Sequence, residues 1–279
     1  MLGVVLVVAA AVSWGTWSLF VRPTGLPATV TTPIVFAIMG IASLPLALRA
    51  RRADRIDRTT LALLVANALL DAGNVLTFFA ALAYTTVAIT VLTHYIAPIF
   101  VALAAARVDG ERTRGAKLAA AIAFVGLTIV LEPWRAPAHG ALVGAALGAA
   151  SACCYAGNVF VVRRLVARIG AARQLSYHAL LAAIATLPLV ALAGDARVTA
   201  SDLAYLGAGA LSCGAAAGIA FAIGLGRIGS ARAAILAYTE PLVAVVVGAL
   251  AWDEPVRPAA AIGGALVVAA GVHVARQPR

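Results

Sequence analysis

The 279 residues are 63% hydrophobic and 11% charged, with a mean hydropathy of +1.00, whereas an ordinary soluble domain has ~25% charged residues. So few charges cannot clothe a soluble core of this size, and most soluble folds are excluded. The net charge of +10 does not point to nucleic acid, because the basic residues sit in short gaps between apolar runs and no Lys/Arg cluster interleaved with aromatics could follow a phosphate backbone.

A membrane helix needs about 20 mainly apolar residues. Breaks at polar and Pro/Gly clusters predict ten such helices, near 2–21, 29–48, 60–82, 86–106, 115–132, 140–162, 173–193, 202–225, 231–251 and 258–275. The first offers small residues at Ala9, Ala10 and Ala11 but no basic segment before them, so a retained helix is expected rather than a cleaved leader. Its polar stretch holds Ser13, Trp14, Thr16, Trp17 and Ser18. Trp14 and Trp17 lie far from the interface where aromatic belts form, and suit a pocket wall.

Helix 3 carries Asn67, Asp71 and Asn74 at i, i+4 and i+7, all on one face. Lipid cannot satisfy that stripe, so it is expected to face the bundle interior. A charge at mid-membrane costs ~2.5 to 3.5 kcal/mol, and three ionisable groups ask for explanation: Asp71, His94 in helix 4 and Glu240 in helix 9. Pro98 and Pro241 stand within helices 4 and 9. Each removes a backbone donor, which is expected to free the carbonyls of His94 and Ala237 and provide a hinge. Tyr95 and Tyr238, three residues earlier, present a phenol and a ring face to a guest. Helix 6 adds Tyr155 and Asn158 at the level of the first helix's tryptophans. Tyr177 and His178 are placed nearer the end of helix 7, where they can snorkel, and outside the main site.

Gly140, Gly144 and Gly148, and Gly214 and Gly218, have the four-residue spacing of close helix packing. Gly263 and Gly264 suit either internal packing or a homodimer contact. Gly224-Leu-Gly226-Arg-Ile-Gly229 matches a dinucleotide fingerprint in letters, but follows a membrane helix where that motif requires a strand. Cys153, Cys154 and Cys213 lie in apolar runs without metal or disulfide spacing, and no cofactor is expected.

Loop charge orients the set. With the N-terminus inside, seventeen basic residues face the cytoplasm, including Arg51, Arg52, Arg55, Arg112, Arg114, Arg163 and Arg279; four (Arg22, Arg135, Arg197 and Arg257) face outward. Both termini are therefore expected to be cytoplasmic, in a plasma (inner) membrane.

A shift of 143 residues aligns 31–111 with 174–254 without a gap, placing Leu44-Pro45-Leu46 on Leu187-Pro188-Leu189, Phe78 on Phe221, Tyr95 on Tyr238, Pro98 on Pro241 and Glu111 on Glu254. A small further shift places Trp14 on Tyr155 and Arg22 on Arg163. Five spans per repeat is an odd number, so the second repeat enters from the opposite side. Such inverted repeats recur in secondary transporters, around a site near the midplane. The expected division is 1–132, a loop at 133–139, and 140–279. Glu111 and Glu254, just ahead of helices 5 and 10, are expected to answer those helices' dipoles.

Tyr95-Ile-Ala-Pro98 with Gly110-Glu111-Arg112, and Tyr238-Thr-Glu240-Pro241 with Asp253-Glu254-Pro255, resemble the EamA family of the drug/metabolite transporter superfamily. Small residues around Gly126 and Gly271 match its fifth helix. The resemblance covers almost the whole chain and implies an all-α integral membrane fold of ten transmembrane helices, built as two inverted five-helix EamA repeats.

These features predict a secondary transporter moving a small organic metabolite by alternating access. Helices 1, 3, 4, 6, 8 and 9 line its cavity, and Trp14, Trp17, Asp71, Asn74, His94, Tyr95, Asn158, Tyr238 and Glu240 are its binding residues. An amino acid or related polar solute suits that lining, and the ionisable groups bring protons in as coupling partners. The runner-up is a hydrophobic-cation exporter. A membrane enzyme or a scaffold is disfavoured: the sequence shows no nucleophile with a base and no soluble output domain.

Overall fold

The computed structural model describes residues 1–49, 56–111, 115–135 and 140–277. Arg51, Arg52, Arg55, Arg112, Arg114 and Arg279, and residues 136–139 of the expected inter-repeat loop, lie outside them. Ten helical segments are long and apolar enough to cross a membrane: α1 (Leu2–Thr24), α2 (Ala28–Arg49), α3 (Arg58–Tyr84), α4 (Val87–Val108), α5 (Ala116–Arg135), α6 (Ala141–Ile169), α7 (Ala171–Leu192), α8 (Ala200–Ile228), α9 (Ser230–Trp252) and α10 (Pro258–Arg276).

Their starts are set by local chemistry. The Asp57 carboxylate accepts from the Thr60 amide (2.7 Å) at the head of α3. Contacts with Thr60 hold that carboxyl below its ordinary range. The Thr86 hydroxyl caps α4, Thr199 and Asp202 form a reciprocal capping box on α8, and Pro258 opens α10 where its missing N–H costs nothing.

The two repeats interlock rather than sit side by side. α1 packs on α8 and α3 on α6, two contacts that the repeat exchanges, while α2 meets α7, α4 meets α9 and α5 meets α10, each beside its own counterpart. This is the pairing a pseudo-two-fold axis demands, and it puts α4 and α9 at the centre. Backbone detail repeats as well. Gly110 and Asp253 both take positive φ (67° and 53°), and the following amides close the same bond, Glu111 N–H to Ala105 O (3.2 Å) and Glu254 N–H to Gly248 O (3.1 Å).

Small residues let these pairs approach. A Cβ on Gly126 would lie 2.6 Å from the Gly263 carbonyl oxygen, and Gly263 in turn backs onto Gly126 and Val130, so backbone meets backbone at α5–α10. Gly263 thus serves internal packing, one of the two uses its sequence position allowed. Gly144 and Gly148 back onto Thr85 and Thr93, and Gly214 and Gly218 onto Met39 and Leu175. The glycines of the fingerprint-like run pack α8 on α1 at Gly224 and turn the chain into α9 at Gly229 (φ +91°).

Besides the 3-10 turns that end α1, α5 and α7, four spans are irregular along their course. α1 is broken between Trp14 and Ser18, α4 at Tyr95–Ile96 and α9 at Ala237–Tyr238, and α8 contains a π-helical stretch, Ala210–Ala216. The breaks precede the prolines. Pro98 stands in the first turn of the helix resuming at Ala97, and Pro241 in that resuming at Thr239. Tightening also reassigns the expected free carbonyl of Ala237, which accepts from the Glu240 amide (3.0 Å).

Candidate functional site

The polar stripe of α3 points inward, onto α6 and α7. The Asn67 side chain donates to Asn158 of α6 and accepts from Gln174 of α7 (2.7 Å). One turn on, the Asp71 carboxylate meets His178 Nε2 at 3.0 Å. The imidazole is almost wholly buried and the carboxyl partly open. His178 Nδ1 has two neighbours, the Gln174 side-chain amide (3.2 Å), which donates, and the Gln174 main-chain carbonyl (3.0 Å), which accepts. The ring therefore has a partner for Nδ1 whether or not that nitrogen carries a proton.

His178 was set outside the site on its position near the end of α7; the structure brings it to Asp71. Distance along one helix carried no information about the α3 face it meets. Its spacing from Gln174, i to i+4, was the available signal for a shared face.

Asn74, a further turn along α3, accepts from the Ser151 hydroxyl of α6 (2.7 Å to Oδ1), and that hydroxyl is 2.8 Å from His94 Nδ1. A hydroxyl has one proton. With Ser151 donating to Asn74, His94 Nδ1–H donates to Ser151, and a neutral imidazole keeps Nε2 as an acceptor. Around His94 stand Phe78 (ring centroids 5.2 Å), Tyr95 (5.1 Å) and Tyr155 (5.5 Å), each edge-on.

Tyr95 and Tyr238 meet where α4 and α9 break. Their rings lie 5.8 Å apart, and the Tyr238 hydroxyl donates to the Tyr95 carbonyl at 2.8 Å. The carboxyl of Glu240 engages the Tyr95 hydroxyl. The Tyr155 hydroxyl is buried without a hydrogen-bond partner, within electrostatic reach of both Glu240 and Asp71. Of the expected residues, Asp71, Asn74, His94, Tyr95, Asn158, Tyr238 and Glu240 thus belong to one track from α7 through α3, α6 and α4 to α9.

The tryptophans stand to one side of it. The Trp14 indole donates to the Cys213 carbonyl (2.9 Å) and its ring meets that of Phe221 at a tilt (centroids 4.9 Å). Trp17 packs over Gly209. Both serve a seam in which the break in α1 is laced to the π-helical stretch of α8, helped by Ser13 Oγ donating to Ser212 O (3.3 Å) and Cys213 Sγ to Ser13 O (3.1 Å). A π-helical turn leaves carbonyls misaligned, and α1 supplies their donors.

Beyond the track, each end of the bundle carries an ion pair made of repeat-equivalent residues. At one end Arg163 pairs with Asp109 (2.8 Å) and Glu111, both largely buried. Glu111 also accepts from the amides of Ser230 (2.6 Å) and Ala231 (3.0 Å), and so answers the dipole of α9 rather than that of α5, as its position ahead of α5 had suggested. At the other end Arg22 pairs with Glu254 (2.7 Å), both half exposed, with Arg22 over the Trp252 ring. Among the described residues no three His, Cys, Asp or Glu side chains gather as a metal would require.

Comparison with known proteins adds three findings. The profile of the EamA-like transporter family matches residues 1–131 and again 142–275. An uncharacterized transporter of Archaeoglobus fulgidus is 32% identical over 271 residues, covering 96% of this chain and 94% of that one. A crystal structure aligns with a TM-score of 0.84 over 98% of this chain and 96% of that one, at 21% identity, a likeness of fold alone.

Proposed function

The chain belongs to the EamA-like transporter family, and within it we propose a secondary carrier of a small polar organic solute bearing an amino group, working by alternating access. One observation carries the reading: two carboxyls from different repeats, Asp71 and Glu240, flank the unpartnered Tyr155 hydroxyl, beside the point where both central helices break. Discontinuous helices at a repeat interface are where such carriers bind their solutes. An ammonium group supplies three donors to these acceptors, and the Phe78, Tyr95 and Tyr155 rings gathered around His94 are of the kind that attracts a cation. The same rings favour a hydrophobic cation as the second reading.

Proton coupling belongs to the proposal. Asp71 and His178 form a hydrogen-bonded carboxyl–imidazole pair, and His178 Nδ1 has both a donor and an acceptor within reach. The charge distribution supports a plasma membrane setting with both termini cytoplasmic, since seventeen of the 21 basic residues then lie inside.

Proteoliposomes loaded in parallel with labelled amines, amino acids and cationic dyes test the reading. Saturable counterflow of an amino-bearing solute is expected, accelerated by an imposed pH gradient. Proton coupling is wrong if that gradient has no effect on wild type. The solute class is wrong if folded protein moves neither amines nor amino acids, and dye transport alone would favour the hydrophobic cation.

A further inference from the structure

The site is better furnished for a cation than for a carboxylate, since among the described residues no Lys or Arg side chain pairs with its two carboxyls. Among the described residues Glu240 has the Tyr95 hydroxyl as its neighbour and no Lys or Arg partner, whereas Asp71 is hydrogen-bonded to His178. His94 Nε2 and the Tyr155 oxygen add acceptors beside them. The sequence contains no Lys or Arg at 59–106, 136–162, 174–196 or 233–256, so no Lys or Arg side chain springs from the middle of α3, α4, α6, α7 or α9. Two of the basic residues that flank those stretches are committed elsewhere. Arg163, about 12 Å along α6 from Tyr155, is held by Asp109 and Glu111; Arg173 reaches the Ala47 carbonyl at the end of α2 (3.0 Å).

An α-amino acid places its carboxylate within a few ångströms of its ammonium. Bound with the ammonium at Glu240, it would bring a third carboxyl into a space that already holds two. Burying an unpaired charge there is costly, and like charges at short range add to the cost. A decarboxylated amine avoids both.

We propose that the carrier is selective for organic amines without a carboxylate, with Glu240 as counter-ion and the Tyr155 hydroxyl as a specificity-determining contact, and that it rejects the parent amino acids. This rests on the amine-carrier reading above and narrows it.

The test is uptake of labelled pairs differing only by the carboxylate, graded in size: ethanolamine and serine, histamine and histidine, tyramine and tyrosine. In wild-type proteoliposomes at least one amine is expected to be taken up with an apparent affinity about tenfold or more above that of its amino acid. Tyr155→Phe removes only the hydroxyl and should shrink that ratio several-fold. Glu240→Gln should abolish amine uptake while eluting as a monodisperse peak, and Glu240→Asp should restore part of it. Amino acids transported as well as or better than their amines would overturn the selectivity and leave the amine-carrier reading standing. Folded wild type that moves no member of any pair would overturn both.

Discussion

The hydroxyl of Tyr238 donates to the main-chain carbonyl of Tyr95, the residue that occupies its own place in the other repeat. The bond joins the two repeats where both central helices are broken, and it is asymmetric: Tyr238 gives its hydroxyl, whereas Tyr95 gives a carbonyl and turns its hydroxyl to Glu240. Tyr238 is fully buried, so Tyr238→Phe leaves a carbonyl without its donor. A loss of about 1 to 3 kcal/mol is expected, visible as a lower unfolding midpoint in detergent. Tyr95→Phe keeps that bond and should cost less stability while disturbing Glu240 and hence transport. Equal thermal losses for both variants would contradict the assignment.

The paired ends of the bundle make a second contrast. Arg163, Asp109 and Glu111 lie in a partly buried cluster that also holds the start of α9, and removing one member leaves charges unpaired in poor solvent. Arg163→Ala should cost about 2 to 4 kcal/mol. Arg22 and Glu254 are half exposed, and Arg22→Ala should cost under about 1 kcal/mol. In an alternating carrier the tighter cluster closes its end more firmly, so Arg163→Ala should also raise labelling of a cysteine placed behind it, at Phe160. Denaturation midpoints and labelling rates for the two variants decide the matter; a larger loss from Arg22→Ala would reverse it.

Packing between α5 and α10 rests on backbone contact at Gly126 and Gly263. A methyl group at Gly126 has to displace the Gly263 carbonyl, so Gly126→Ala is expected to destabilise by about 1 to 3 kcal/mol. A methyl group at Gly264 has room, meeting only Leu242 at an ordinary 3.8 Å, and Gly264→Ala should be neutral within about 0.5 kcal/mol. Thermal unfolding of both variants at several protein concentrations checks this. A concentration-dependent loss at Gly264 would instead place a contact between two copies there.

The scaffold was legible because its causes are periodic. Spans follow from runs of apolar residues, and the repeat from the spacing of Tyr95, Pro98 and Glu111 against Tyr238, Pro241 and Glu254. The inward turn of Asn67, Asp71 and Asn74 follows from helix periodicity. What stayed hidden depends on which face meets which helix. The partner of Asp71 is a histidine 107 residues away, and the helix that Glu111 answers is α9 rather than the α5 that follows it. The π-helical stretch in α8 had no local signal at all. Ala210–Ala216 reads as ordinary small-residue helix, and its misaligned carbonyls make sense only once Trp14 and Ser13 lie against them.

Asp71 and His178 allow a structural role to be separated from a coupling role. If the pair merely held α3 to α7, its coupling energy would account for its presence, yet polar pairs inside membranes average ~0.6 kcal/mol and reach only about 1.7. A double-mutant cycle with Asp71→Asn, His178→Gln and both together measures that energy from unfolding midpoints. A value below about 1 kcal/mol is expected, because the amide of an asparagine at 71 can still accept and that of a glutamine at 178 can still donate where Nε2 stood, without carrying a charge. Transport should behave differently. In the neutral ring the Gln174 amide can donate to Nδ1 while Nε2–H donates to Asp71; on protonation, Nδ1–H turns to the Gln174 carbonyl. The pair can therefore take up and release a proton with little rearrangement. Asp71→Asn should retain exchange driven by a solute gradient and lose the acceleration given by a pH gradient. His178→Gln should do the same, since each half of the pair needs the other. A coupling energy of several kcal/mol with pH-driven transport intact in Asp71→Asn would assign the pair to architecture and remove it from the proton path.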